Sequence, residues 1–458
     1  MSKSRIIDKV SSVPAMAAAI GLAVMLLCAL PSRAGDLSDL VRQLEDAKAV
    51  RSDAAAAPPM AREDATRIWD AFLTAIVKRA GTDVVAADVR EDLFALLLGD
   101  RYEVVAALET PAQDGSRWLG EHFQAAWPRI APVLDRVAAA LPPEAAQRYR
   151  EFLTSGRLLD AARDRGWLRG EVASPATLRE LALRIVPSAS GDPLHWDQAV
   201  DPELRNIFGF DAPLPAPVAS PLLAPTSPVA FLVGPLAILA RAGDWLVPAA
   251  HAAGSQSSTG WDWHTLVTRL NTWVPDGKRE MREYLPMMEE LLDGTAHTLA
   301  DQRLPEEHFT IYRDLVVATA WQESCWRQYE KRAGQVQPLR GPGGTGLMQV
   351  NVRVWRGMYD AEGIAADIGY NGRAGAEILL RYMRKHAIRG NEHLVPGGET
   401  NLARATYAAY NGGPGHLRRY RKPDTSPRLR AVDQEFWQKY QAVENGDQSA
   451  FYSCAVRR

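Results

Sequence analysis

Apolar side chains recur at helical spacing along most of this chain. In 65–78, Ile68, Trp69, Phe72, Leu73, Ile76 and Val77 fall on neighbouring turns, and Arg62, Glu63 and Asp64 ahead of them give an acidic start. Leu93, Leu96, Leu97 and Leu98, then Val104, Val105 and Leu108, continue the pattern; Val133, Leu134, Val137 and Leu141 repeat it before Pro142. The stretch 35–210 therefore reads as an α-helical domain. It shows no fixed-period repeat, so a regulatory role or a protein partner stays open.

The pattern breaks after Phe210. Residues 211–260 form a Pro- and Ala-rich linker, with Pro213, Pro215, Pro217, Pro221, Pro225 and Pro228 leading into the apolar run 229–240. Prolines at this density favour extended, semi-rigid chain. Pro235 interrupts the run, and Arg241 and Asp244 end it, which leaves it too short to span a bilayer. Two readings stand for 229–245: a peripheral membrane contact with Trp245 at the headgroups, or packing on the following domain.

Helical periodicity returns in 261–458. Trp263, Leu266, Leu270 and Trp273 make one stripe, and Met281, Tyr284, Leu285, Met288, Leu291 and Leu292 another. Pro305, Glu306 and Glu307 are a strong helix start. The helix they open carries Phe309, Tyr312, Leu315, Val316 and Thr319, and it delivers Trp321, Gln322 and Glu323 near its C-terminal end. A carboxylate there faces the negative end of the helix dipole. That placement and apolar neighbours such as Trp326 both oppose its ionisation.

The N-terminus reads as an export signal rather than fold material. Lys3, Arg5 and Lys9 precede an apolar run over 14–30, then Pro31 and the small-residue pattern Ser32-Arg33-Ala34. Cleavage after 34 starts the mature chain near Gly35; an uncleaved anchor is the alternative. Of 3 cysteines, Cys28 lies in this segment, leaving Cys325 and Cys454 as an even pair. In an oxidising compartment they form a disulfide, or else two buried thiols. The chain is 47% hydrophobic and 24% charged, with a net charge of −2, so composition gives no electrostatic case for binding nucleic acid.

The chemistry concentrates in three motifs over the core 305–425. The first is Glu323-Ser324. The second, Gly346-Leu347-Met348-Gln349-Val350, follows the glycine-rich 341–345. The third is Ala409-Tyr410-Asn411-Gly412-Gly413-Pro414. Cleaving a glycoside requires a carboxyl group that still holds its proton near neutral pH, and Glu323 is placed to be one. Glycines let backbone approach a sugar closely, and Gln349 offers both a donor and an acceptor. A phenol such as Tyr410, brought near Glu323, would orient its carboxyl, while Asn411 would bond substrate or groove backbone.

In order and chemistry, the three motifs resemble the soluble lytic transglycosylase family, over roughly the last third of the chain. The resemblance implies a lysozyme-like helical catalytic domain within a mainly α protein that acts on peptidoglycan glycan strands in the periplasm of a Gram-negative bacterium. It implies Glu323 as the catalytic acid, Ser324, Gly346, Met348, Gln349 and Asn411 around the substrate, and Tyr410 orienting Glu323. The segment 367–371, Asp-Ile-Gly-Tyr-Asn, is similar to a family helix in which Asn371 is structural. The stretch between Glu323 and Gly346 is longer and richer in glycine than the family pattern.

The motifs contain no second acid. The family dispenses with one by substrate assistance, so the resemblance implies 1,6-anhydro products formed without water. Two rivals stand beside this reading. A hydrolytic muramidase of the same fold would need a second carboxylate, with Asp360, Glu362 and Asp367 as candidates. A glycan-binding or assembly protein would have lost catalysis. Trp321, Trp326 and Trp355 are either sugar platforms or core. Arg418, Arg419, Arg421 and Lys422 are either contacts for acidic stem peptides or a solvated face. No His-Glu-x-x-His spacing, Gly-x-Ser-x-Gly elbow or phosphate loop occurs, so no metal or cofactor is expected.

Overall fold

The computed structural model describes residues 60–84, 86–108, 114–164, 174–187, 191–218, 262–447 and 454. The export signal 1–34 and the apolar run 229–245 lie outside them. The described residues are mainly helical, and none of their helices is long and apolar enough to cross a membrane. The chain divides into two compact units, Met1–Asp197 and Gln198–Arg458.

The first unit packs α1 (Arg62–Asp83), α2 (Ala87–Leu108), α3 (Gly115–Ala139), α4 (Pro143–Asp164) and the short α5 (Pro175–Ala182). The stripe expected on α1 is its buried face, with Trp69, Phe72, Leu73, Ile76 and Val77 all fully covered. Polar groups inside this core are paired: the Trp69 indole donates to Asp100 at 2.6 Å, and Arg101 donates to Asp70 at 2.7 Å. Gly156 lets α4 close on α3, since a β-carbon there would sit 1.9 Å from the Trp127 ring.

The second unit begins earlier than the composition suggested. The compact unit starts at Gln198, and 198–218 lie on it as a strap that takes in the first residues of the Pro-rich stretch 211–260, the rest of which lies outside the described residues. The strap holds α6 (Pro202–Ile207), started by Asp201, whose carboxylate caps Glu203 and Leu204. From α6, the wholly buried Arg205 donates to both Glu377 oxygens (3.1 and 3.0 Å) and to the Met358 carbonyl (2.8 Å). Its guanidinium lies 5.2 Å from the ring centroids of both Phe210 and Tyr359. A buried charge needs such pairing, and that requirement, rather than proline content, sets where this unit starts.

After the strap come α7 (Trp263–Leu270) and α8 (Gly277–Ala300), then one turn at Glu306–His308 leading into α9 (Phe309–Ser324). α9 is the centre of the unit and packs against α8 and three later helices, α11 (Ile368–Tyr382), α12 (Asn401–Gly412) and α13 (Pro427–Glu444). Ile311, Tyr312, Leu315, Val316, Val317, Ala318, Ala320 and Trp321 are buried, so α9 is covered on all sides. Burying each large apolar side chain contributes about 1.5–3 kcal/mol. The Tyr312 hydroxyl fastens α9 to α11 by donating to the Ala376 carbonyl at 2.8 Å.

Between α9 and α11 lies a feature that the helical periodicity does not announce. It is an antiparallel hairpin, β1 (Tyr329–Arg332) and β2 (Gln335–Pro338), with Arg332 opposite Gln335. Its two-residue turn, Ala333 and Gly334, has φ of 49° and 79°, both left-handed as tight hairpins require. The short α10 (Ala361–Ala366) follows. A disulfide joins Cys325, next to the end of α9, to Cys454, with a Cα–Cα distance of 5.9 Å over a sequence separation of 129. By chain entropy, such a loop stabilises the fold by about 4–5 kcal/mol.

Candidate active site

The end of α9 is built to hold its last acid in one place. Ser324 closes the helix, and Cys325 and Trp326 follow with φ of 55° and 60°, two successive left-handed residues that turn the chain sharply. Bonds hold this unfavourable backbone. The Cys325 amide donates to the Trp321 carbonyl at 3.0 Å, and Tyr284 donates to the Trp326 carbonyl at 2.7 Å.

The second motif is fixed through its backbone. Ser324 Oγ donates to the Leu347 carbonyl at 2.6 Å, and Gln328 Oε1 accepts from the Leu347 amide at 2.7 Å. Asn371 Oδ1 accepts from the Met348 amide at 2.8 Å, and the Tyr410 hydroxyl donates to the Met348 carbonyl at 2.6 Å. All four polar backbone groups of Leu347 and Met348 are thus met by side chains from α9 or just beyond it, from α11 and from α12. The three motifs converge because a buried amide or carbonyl left unmet costs about 1–3 kcal/mol. Gly346 makes the approach feasible. Its φ is +76°, and a β-carbon would lie 2.3 Å from the Gln328 amide and 2.4 Å from that of Asn371.

Glu323 is half-buried on the last turn of α9. Its Oε1 accepts a 3.1 Å bond from the Tyr407 hydroxyl, and the Tyr407 ring stacks on Phe436 of α13 at 3.9 Å and 4°. Burial pushes the Glu323 carboxyl from an ordinary 4.5 up to about 7. The Tyr407 bond and the charges of Lys439 and Arg419 oppose that rise, and Glu435 adds to it. Burial, with the Glu323 charge, pushes the Tyr407 phenol well above its ordinary range, so it stays protonated and donating.

Several expected roles are redistributed. The phenol on Glu323 belongs to Tyr407, whereas Tyr410, one turn later, holds Met348. The Met348 side chain, expected against substrate, is wholly buried and would collide with any β-carbon at Gly375, 2.4 Å away. The Gln349 amide, also expected against substrate, braces its own loop: Oε1 accepts from Gly341 at 2.9 Å, and Nε2 donates to the Gly346 carbonyl at 2.8 Å. Asn411 is exposed and accepts from Arg419 at 3.0 Å. Asn371 holds three backbone groups, the structural part expected of it.

Neighbouring candidates resolve as well. Trp321, Trp326 and Trp355 are core, exposed by no more than 5%. The three arginines of the basic run are paired internally, whereas Lys422 is exposed: Arg418 and Arg421 donate to the buried Glu392, and Arg419 donates to Asp433. Asp360 and Asp367 cap α10 and α11, accepting from the Glu362 and Tyr370 amides. A carboxylate whose charge does reach Glu323 is Glu435, on α13. Among the described residues, no group of three or more His, Cys, Asp or Glu is gathered as a metal would require.

Gln328, Tyr407, Asp433, Phe436 and Lys439 escaped the sequence reading. One signal was there: Tyr407 precedes Tyr410 by three residues and so shares its helix face. The chain matches no protein-family model, no curated protein and no solved structure.

Proposed function

We propose that the protein is a peptidoglycan lytic transglycosylase that cleaves the β-1,4 bond between N-acetylmuramic acid and N-acetylglucosamine with Glu323 as its acid. The observation that carries this reading is a half-buried carboxyl pushed up to about 7, held by a protonated phenol and set beside the backbone-fastened second motif. A general acid works best when its pKa lies near the working pH. The bonding of the three motifs around Leu347 and Met348 supports reading them as one site.

In this mechanism Glu323 gives its proton to the glycosidic oxygen as the bond to the muramic C1 breaks. The substrate's N-acetyl group shields the positive charge that develops at C1. Glu323, now a carboxylate, removes the proton from the muramic C6 hydroxyl, and that oxygen closes on C1. The product is a 1,6-anhydro end, water takes no part, and the acid is regenerated. Tyr407 steadies the oxygen that it bonds, and Lys439 and Arg419 stabilise the carboxylate between the two steps.

The Cys325–Cys454 disulfide supports an oxidising compartment, and the periplasm is the one in which this substrate lies. Digestion of purified sacculi followed by mass spectrometry tests the reading. Anhydro ends are expected. Reducing ends alone would replace it with a hydrolytic muramidase. Binding without cleavage, unchanged in Glu323→Gln, would replace it with a glycan-binding protein.

A further inference from the structure

Three residues spaced three apart on α13 address three parts of the site. Asp433 takes Arg419, with contacts of 3.1, 3.1 and 2.8 Å, and Arg419 in turn holds Asn411. Phe436 stacks under Tyr407, which holds Glu323. Lys439 Nζ donates to Gln322 Oε1 at 2.7 Å and to Glu435 Oε1 at 2.8 Å, and it lies 5.8 Å from the centroid of the Trp321 ring. Residues at this spacing share one helix face, so a single face of α13 meets the arginine that holds Asn411, the ring of the phenol and the helix of Glu323.

We propose that Lys439 is a positioning residue for Glu323: bridged between Gln322 and Glu435, its ammonium sets the pH at which the acid carries its proton. The proposal rests on reading Glu323 as the acid. The groups acting on Glu323 are Tyr407 from α12, Arg419 from the turn Arg419–Arg421, and Lys439 and Glu435 from α13. Tyr407 stays neutral, and Arg419 already faces Asp433 across a buried bidentate pair. Lys439 and Arg419 both oppose the rise, and Lys439 acts the more strongly of the two. Within the α13 pair, the Lys439 side chain is 15% exposed and that of Glu435 59%, so water screens the carboxylate more than the ammonium. The net charge presented to Glu323 is positive. It opposes the burial that holds the proton on, and it steadies the carboxylate that must next accept the C6 proton.

The test is the titration of the Glu323 carboxyl, followed by carbon-13 NMR of the full chain labelled at glutamate and assigned by its loss in Glu323→Gln. Lys439→Met should raise the midpoint by at least about half a unit, and the acidic limb of the cleavage profile should move with it. Lys439→Arg should restore the wild-type midpoint. If Lys439→Met does not fold, Lys439→Gln, which keeps a polar group against Gln322, decides the matter by the same upward shift; Glu435→Gln, at an exposed position, should move the midpoint down. An unchanged midpoint in a folded Lys439→Met variant, or an upward shift in Glu435→Gln, overturns the proposal. If the wild type failed to cleave glycan, the proposed activity would fall, while the midpoints would still report on Lys439.

Discussion

Replacing Glu323 with glutamine should stabilise the fold at neutral pH. Folding lifts the carboxyl from 4.5 to about 7, chiefly through burial, so the folded state disfavours the charge that the unfolded chain carries freely. A folded pKa above the unfolded one gives a contribution that is fully present below 4.5 and is lost as pH rises through 7. The shift of about 2.5 units, at about 1.36 kcal/mol each, amounts to ~3.4 kcal/mol, and partial exposure brings it to about 2–3 kcal/mol. Glutamine occupies nearly the same volume, and its Oε1 still accepts from Tyr407, so little is lost in exchange. For a unit of this size, that gain corresponds to roughly 5–10 °C in melting temperature. Denaturant unfolding of the wild type and Glu323→Gln at pH 4, 6 and 8 measures it. The two should coincide at pH 4 and diverge progressively, with the variant more stable by about 2–3 kcal/mol at pH 8. A pH-independent difference, or a less stable variant at pH 8, would refute the argument that burial holds this proton.

Tyr407→Phe removes the hydroxyl on Glu323 while keeping the stack on Phe436; kcat for glycan cleavage should fall about tenfold with KM little changed, read by product release from sacculi. Gly346→Ala places a methyl group against the Gln328 and Asn371 amides at a left-handed position. It should cost about 3 kcal/mol or more in denaturant unfolding. Arg205→Ala leaves Glu377 buried without its cation, and a loss of about 3–5 kcal/mol from the second unit's transition is expected by calorimetry.

The helices were legible because helical spacing and buried faces follow from the same geometry. The stripe on α1 and the run of apolar residues on α9 each became the covered surface that periodicity implied. The hairpin at 329–338 was not legible, since four-residue strands carry too few alternations to stand out, and its turn is Ala-Gly rather than a stronger signal such as Asn-Gly. The strap was not legible either, for a related reason. Proline content marks 211–260 as linker, but the anchor is Arg205, two of whose partners, Met358 and Glu377, lie more than 150 positions away.

The sequence by itself determined the helical character, the acid at the end of a buried helix, and the three motifs in order. It could do so because these depend on local spacing and on which residue types carry chemistry. Only the tertiary structure decided how those residues are used. It turned Met348 and Gln349 to bracing, gave the acid to Tyr407 rather than Tyr410, and made the face of α13 a wall of the site. The deciding bonds join Tyr407 to Glu323 and Lys439 to Gln322 across separations of 84 and 117 residues. Hydrophobic periodicity shows which face of a helix is covered, but the identity of the side chain that meets it is set by packing alone.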